Sequence, residues 1–265
     1  MKIVDQLNRV LFFNSHPRRI ISLVPSQTEL LVALGLEKNI IGVTKFCVHP
    51  KEIQKNITIV GGTKKIHLKK VEALHPDIII CNKEENTKEI VDQLSSVAPV
   101  WISDIYTLED ALEMIVLLGE LFDVSEKAVS IVSQISLRKK DFEVFIKTKP
   151  TIKVAYLIWK NPYMVAGNQT FINNLLLLNK FKNTAVNSTS RYPEVLLEAL
   201  SNADKILLSS EPFPFKEKHI QELRESTGKD VILVNGEYFS WYGSRLIQSF
   251  NYFKSLRLNL ENPLV

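Results

Sequence analysis

Residues 71–85 read VEALHPDIIICNKEE, and residues 197–211 read LEALSNADKILLSSE. Each stretch opens on a helix-like Glu-Ala-Leu and passes through a short polar turn. It then enters an unbroken apolar run, Ile78–Cys81 in the first copy and Ile206–Leu208 in the second. A strand with one wet face alternates apolar and polar residues. Apolar residues on successive positions mark a strand buried on both faces, as in a parallel sheet covered by helices. A polar loop containing glutamate follows each run: Glu84 and Glu85 in the first, Glu211 in the second. The copies lie about half a chain apart in 265 residues, so the repeat predicts two lobes of similar topology.

Working outward, strand-like runs occur at Arg19–Val24, Ile40–Thr44, Ile57–Val60, Val100–Ser103, Lys153–Trp159 and Asp230–Val234. Helical spacing separates them. Ser26 with Glu29 has the spacing of a capping box and predicts a helix start, ended by Gly35. Thr87–Val97, Tyr192–Asn202, Lys216–Arg224 and Ser244–Leu256 also read as helices. The alternation predicts an α/β fold with two Rossmann-like lobes. Residues 107–149 carry no strand signal and hold one glycine, Gly119. Their apolar stripe predicts helices, with one long helix over Ser125–Lys147 spanning roughly 35 Å at 1.5 Å per residue. The expected organisation is an N-terminal lobe at 1–106, a helical connector at 107–149 and a C-terminal lobe at 150–265. The long helix makes a stiff junction, and in open α/β sheets the loops after the strands form the ligand crevice. Two such lobes place the ligand cleft between them.

Composition narrows the function. Apolar residues make up 45% of the chain and charged residues 23%, which excludes a disordered or low-complexity protein. The net charge of +4 is scattered rather than gathered into a groove, so no nucleic-acid partner is expected. No apolar run reaches the length of a membrane span or a signal peptide. The sequence as it stands predicts a cytoplasmic protein, and a periplasmic or surface-anchored one if a leader precedes it. Cys47 and Cys81 belong to no CxxC pair and read as buried thiols.

No enzymatic signature emerges. Gly61-Gly62-Thr63-Lys64 lacks phosphate-loop spacing and reads as a tight turn. GxSxG and HExxH are absent, and no dedicated metal site or required cofactor is expected. His49 is either a structural hydrogen-bonding histidine or a contact to a metal that a ligand already carries. The informative segments are aromatic. Glu211 leads into Pro212-Phe213-Pro214-Phe215, and Gly236 leads into Glu237-Tyr238-Phe239-Ser240-Trp241-Tyr242-Gly243-Ser244-Arg245. Trp159 and Tyr163 follow a predicted strand. Aromatic walls with a few charged groups suit a large planar or partly apolar ligand.

The segment Arg19-Ile20-Ile21-Ser22-Leu23-Val24-Pro25-Ser26-Gln27-Thr28-Glu29, with Gly61-Gly62, Glu72–Ile79 and Gly236–Phe239 in order, resembles the vitamin B12- and ferric-siderophore-binding family of ABC importers. The resemblance covers nearly the whole chain and is nearest to the vitamin B12 type. It implies two α/β lobes joined by a long helix. It places Pro25 at the cleft edge, and Phe46, Trp159 and Tyr192 as aromatic contacts. Glu237, Tyr238, Phe239, Ser240 and Trp241 fall on its binding loop. It also implies docking on a permease through one surface glutamate per lobe. Lys69 occupies the first of these positions and Val195, beside Glu194, the second, a departure that repels rather than holds an arginine.

The expected function is therefore non-enzymatic: a monomer that binds cobalamin, haem or a ferric siderophore between its lobes. Pro25, Phe46, His49, Trp159, Tyr163, Tyr192, Glu211, Phe213, Glu237, Tyr238, Phe239, Ser240, Trp241 and Arg245 are its candidate contacts. A second reading makes the protein a cytoplasmic helper or sensor that uses the same cleft for another small ligand. A hydrolase or transferase acting through Glu84, Glu85 or Glu211 is disfavoured, because no nucleophile–base pair accompanies them.

Overall fold

A computed structural model describes residues 1–261. The chain packs as two compact units. The first comprises Met1–Ile105, Glu109–Ile135 and Tyr242–Arg245, and the second comprises Tyr106–Leu108, Ser136–Trp241 and the chain from Leu246. The segment expected as a connector is thus shared out between the units rather than standing apart.

In the first unit, β1 (Lys2–Val4) and β2 (Val10–Phe12) form an antiparallel hairpin. The main sheet holds β3 (Ile20–Ser22), β4 (Ile40–Thr44), β5 (Thr58–Gly61), β6 (Ile78–Asn82) and β7 (Val100–Ser103). It is parallel throughout, in the order β5-β4-β3-β6-β7. The connecting helices are α1 (Pro25–Ala33), α2 (Ile53–Asn56), α3 (Leu68–Ala73) and α4 (Lys88–Ser95). Then come α5 (Leu108–Leu121) and the 22-residue α6 (Ser125–Ile146), which carries the chain from the first unit to the second. All five residues of β6 are buried, as the unbroken apolar run requires.

The second unit repeats the pattern. β8 (Ile152–Trp159), β9 (Met164–Val165), β10 (Phe181–Asn183), β11 (Lys205–Ser209) and β12 (Asp230–Val234) form one sheet. Its parallel order is β10-β8-β11-β12, with β9 antiparallel to β8. The helices are α7 (Phe171–Leu178), α8 (Leu197–Leu200), α9 (Glu217–Thr227), α10 (Glu237–Ser240) and α11 (Leu246–Glu261). The two copies of the opening motif become α3-β6 and α8-β11. β6 and β11 each stand one place in from a sheet edge, beside the strand that follows them in the chain.

Two local expectations change. Ser26 does not cap α1: Pro25 is its first residue and Val24 its cap. Proline suits that place because the helix leaves the N–H there unpaired in any case. The helix expected over Tyr192–Asn202 shrinks to Leu197–Leu200. The preceding residues are extended instead. Val165 donates its N–H to Pro193 O and Val195 donates to Tyr163 O, so β9 captures this backbone before it can coil.

Asp5 holds the hairpin to the main sheet. It is 2% exposed. Its Oδ1 accepts the N–H groups of Leu7 (3.0 Å) and Arg9 (2.9 Å), and its Oδ2 accepts Ile102 N–H (3.2 Å) and both Arg9 Nε (2.8 Å) and an Arg9 terminal nitrogen (2.6 Å). Removing the carboxylate strands several buried donors and a cation. Asp5→Ala is expected to destabilise the chain by about 3 kcal/mol, read from urea unfolding midpoints.

His219 in α9 offers a second test. Its Nδ1 accepts the Lys216 N–H at 2.9 Å, so the ring is neutral at that atom. Burial pushes its pKa below the ordinary 6.5, the nearby ammonium groups of Lys160 and Lys218 add to the shift, and Glu222 opposes it. The unfolded chain therefore takes up the proton first. The stabilisation is complete above the unfolded value and falls away as pH drops through it toward the lowered folded value. Urea unfolding at about pH 7.5 and about pH 5.5 is expected to show a smaller acid loss in His219→Gln than in the unaltered chain.

Candidate functional site

Each unit carries its candidate residues at the carboxyl ends of its parallel strands, where α/β sheets place ligands. In the first unit a knot of small buried side chains shapes that end. Thr28 Oγ1 lies 2.7 Å from Ser22 Oγ, 2.9 Å from Val24 O and 3.1 Å from Cys47 Sγ, and Thr44 Oγ1 lies 3.2 Å from the same sulfur. Burial pushes the Cys47 thiol pKa up, which keeps it protonated and unreactive. With Cys47 turned inward, its neighbour Phe46 turns out and is 49% exposed. The ring rests on Gly62, where an added Cβ would sit 3.1 Å from Phe46 Cε2. Pro25 is half-buried at the start of α1.

Asn82, at the end of β6, organises the neighbouring loop. Its Oδ1 accepts the N–H groups of Glu84 (2.8 Å) and Glu85 (3.1 Å), while its amide nitrogen donates to Ser103 Oγ (2.9 Å). Lys64 Nζ donates to Glu84 O at 2.5 Å. His49 is half-buried. Among the described residues no group of three or more His, Cys, Asp or Glu is placed to hold a metal ion. Arg245 belongs to this unit through a two-pronged pair with Glu29, Nε–Oε2 at 3.0 Å and a terminal nitrogen–Oε1 at 2.7 Å. That pair gives it a bracing role, pinning the Tyr242–Arg245 segment to α1.

In the second unit Trp159 ends β8 and is 41% exposed. Its ring meets Phe213 edge-on at 5.7 Å, and Phe213 leans on Phe215 (4.7 Å) and His219 (5.6 Å). The expected aromatic wall is thus a continuous stack with Trp159 at its exposed end. Tyr163 turns toward α9, its hydroxyl donating to Glu222 Oε1 at 3.2 Å, and burial with that carboxylate raises the phenol pKa. Glu211 accepts a hydrogen bond from Ser240 Oγ, so two expected contacts hold each other. Gly236 is needed beside them, because a Cβ there would lie 2.7 Å from Glu211 Cγ. Glu237 is half-buried at the first turn of α10, its N–H donating to Asn235 Oδ1 at 3.0 Å.

The aromatic loop is where expectation and structure part. Phe239 is fully buried against Tyr156 (5.2 Å) and Phe253 (4.8 Å), and Trp241 is only 7% exposed. The turn of α10 rolls Phe239 onto α11, so its ring is core and not ligand surface. Tyr238 keeps partial exposure and stacks on Tyr252 at 4.6 Å. Two cations outside the expected set stand against aromatic rings. Arg191 lies 4.9 Å from the Tyr106 ring and 5.8 Å from Tyr192, and Lys45 lies 5.0 Å from Phe46. The available signal was a cation next to an aromatic in sequence, Lys45-Phe46 and Arg191-Tyr192. A hollow of about 320 Å³ beside β10, lined by residues including Lys182, Val186, Val195 and Asn202, contains none of the candidates.

Relatives share this architecture. The chain is 27% identical over 195 residues to an uncharacterised ABC transporter substrate-binding lipoprotein of Bacillus subtilis, a match covering 71% of this chain and 62% of that protein. It is 25% identical over 236 residues to a vitamin B12-binding protein of Pectobacterium carotovorum, covering 87% of this chain and 85% of that one. Among solved structures, the periplasmic vitamin B12-binding protein of Vibrio cholerae superposes with a TM-score of 0.78 at 20% identity, over 93% of this chain and 99% of its own. A periplasmic haem-binding protein of Pseudomonas aeruginosa gives 0.80 at 21% identity, over 94% and 95%. At such identities these structures establish the fold. The family described as periplasmic binding protein matches residues 20–238, from the first residue of β3 into α10. With that span covering both sheets, this chain belongs to the periplasmic binding protein family, whose fold is that of solute-binding proteins.

Proposed function

We propose that this chain is the solute-binding component of an ABC importer, and that its solute is a large metal complex of the corrinoid or haem type. The observation that carries the reading is the exposure of Phe46 and Trp159, at 49% and 41%, each at the strand carboxyl ends of its own unit. Large aromatics held open on rigid sheet ends favour a planar, partly apolar ligand, since little side-chain freedom remains to be lost on binding. The names of the relatives, vitamin B12-binding and haem-binding proteins, support the same class. No metal cage is assembled from His, Cys, Asp and Glu among the described residues, so this reading has the solute bring its own metal.

An ABC permease is the partner that this reading implies. Lys69 is exposed on α3 where the family resemblance expects a docking glutamate, so paired carboxylates do not make the contact. No helix among the described residues is long and apolar enough to cross a membrane. The relatives named periplasmic or lipoprotein support work outside the inner membrane. Fractionating the native host with the full gene tests this, and recovery in the cytosol alone refutes it.

Titration with cyanocobalamin and with haemin, followed by tryptophan fluorescence, is the direct test. Trp159 is expected to be quenched, and buried Trp101 to respond less. Phe46→Ala and Trp159→Ala are each expected to weaken binding by about 1–3 kcal/mol, the usual loss for an aromatic anchor. Unchanged affinity in both variants would move the binding surface elsewhere.

A further inference from the structure

The hollow of about 320 Å³ beside β10 lies wholly within the second unit and uses none of the candidate contacts. Its size falls at the small end of ligand pockets, roughly 300–1,000 Å³. It lies between β10 and α8, and α8 is a single turn because β9 claims the backbone before it. Buried Val165 and Leu200, with half-buried Val195, give it an apolar wall. Its opposite character comes from the sheet register. Lys182 of β10 pairs with Lys153 of β8, and both line the hollow. Register partners share a face on strands about 4.8 Å apart, so two ammonium-bearing chains stand side by side and repel. Among the described residues neither has an ion-pair partner. Asp204 spends Oδ2 on the Lys153 backbone N–H at 2.8 Å. Neither it nor Glu194 or Glu198, sequence neighbours of Val195 and Ala199, lines the hollow. The amides of Asn187 and Asn202 complete its polar side.

We propose that this hollow is a second ligand site, one that takes a small organic dianion: a phosphate monoester or a dicarboxylate on a compact apolar body. A dianion between Lys153 and Lys182 replaces their repulsion with two charge-assisted contacts. Lysine acts as a point charge without the fork geometry of arginine, so phosphate and carboxylate head groups both suit it. The wall of Val165, Val195 and Leu200 takes the apolar body. A neutral molecule of the same shape gains only that wall and leaves the two cations unrelieved. The site stands apart from the solute-binding reading, since it shares no residue with the candidate contacts.

Four probes test this on the full chain by calorimetry. Phenyl phosphate and phthalate are the dianions, benzyl alcohol is the neutral body, and inorganic phosphate is the head group alone. At least one dianion is expected to bind about tenfold or more tightly than benzyl alcohol and than inorganic phosphate. The tighter of the two identifies the head group, and its advantage shrinks as salt rises. Lys153→Met and Lys182→Met are each expected to weaken that binding about fivefold or more. Neither substitution is expected to lower the thermal unfolding midpoint, because each removes a like-charge contact. Methyl NMR is expected to show the dianion shifting the signals of Val165, Val195 and Leu200. Failure of both dianions to bind overturns the site. Equal binding of benzyl alcohol overturns the charge requirement, and equal binding of inorganic phosphate overturns the apolar wall. Affinity that survives both lysine substitutions, or methyl shifts confined to other residues, overturns the location. All of these outcomes leave the solute-binding reading to its own tests.

Discussion

Both sheets bury their strands on two faces, and that single constraint arranges everything else in the protein. A strand covered by helices on either side has no position for a charged group, so β6 runs Ile-Ile-Ile-Cys and β11 centres on Ile-Leu-Leu. Polar and chemically useful side chains are displaced to the ends of the strands. At the carboxyl ends the displaced groups become Asn82, Ser209 and the loops that follow. Each loop is tied back by the last residue of its strand: Asn82 Oδ1 takes the N–H groups of Glu84 and Glu85, and Ser209 Oγ donates to Glu211 O at 2.6 Å. The sheet therefore fixes the loops as well as the core.

The same logic explains which aromatics are available. Phe46 is open because it stands in the turn that follows β4, closed by Cys47 N–H to Thr44 O at 3.1 Å, while Cys47 beside it is locked inward by Thr28 and Thr44. Trp159 is open because it is the last residue of a strand whose preceding five are buried. Phe239 is closed because it sits in a helical turn over α11. Burial of an aromatic is thus decided by the backbone type beneath it, not by how many aromatics share a loop.

That distinction separates what the sequence revealed from what it hid. Eight strands of the two sheets were legible within two residues, because an unbroken apolar run has few other uses, whereas β9 and β10, two and three residues long, offered no such run. The long α6 was legible from its stripe and its lack of proline and glycine. Less legible was the stretch Tyr192–Leu196. Its apolar spacing suits a helix, but the Val165 N–H on β9, 28 residues earlier, claims its Pro193 carbonyl. The Glu237–Trp241 loop misled in a related way: composition shows that aromatics are present, while only the α10 turn shows which of them face the core. Arg191 and Lys45 escaped because a single cation beside an aromatic is common in sequence. Its meaning depends on the ring geometry and on Tyr106, which lies far off along the chain.

The Arg245–Glu29 brace has a consequence for synthesis. Glu29 precedes Arg245 by 216 residues, yet both belong to the first unit. A nascent chain that has emerged as far as α6 holds every strand of that unit but not the segment that clamps α1. Its assembly is completed only when the chain has emerged past Arg245. The stretch up to α6 consequently does not encode a finished unit, and a chain cut within α6 would leave α1 without its partner.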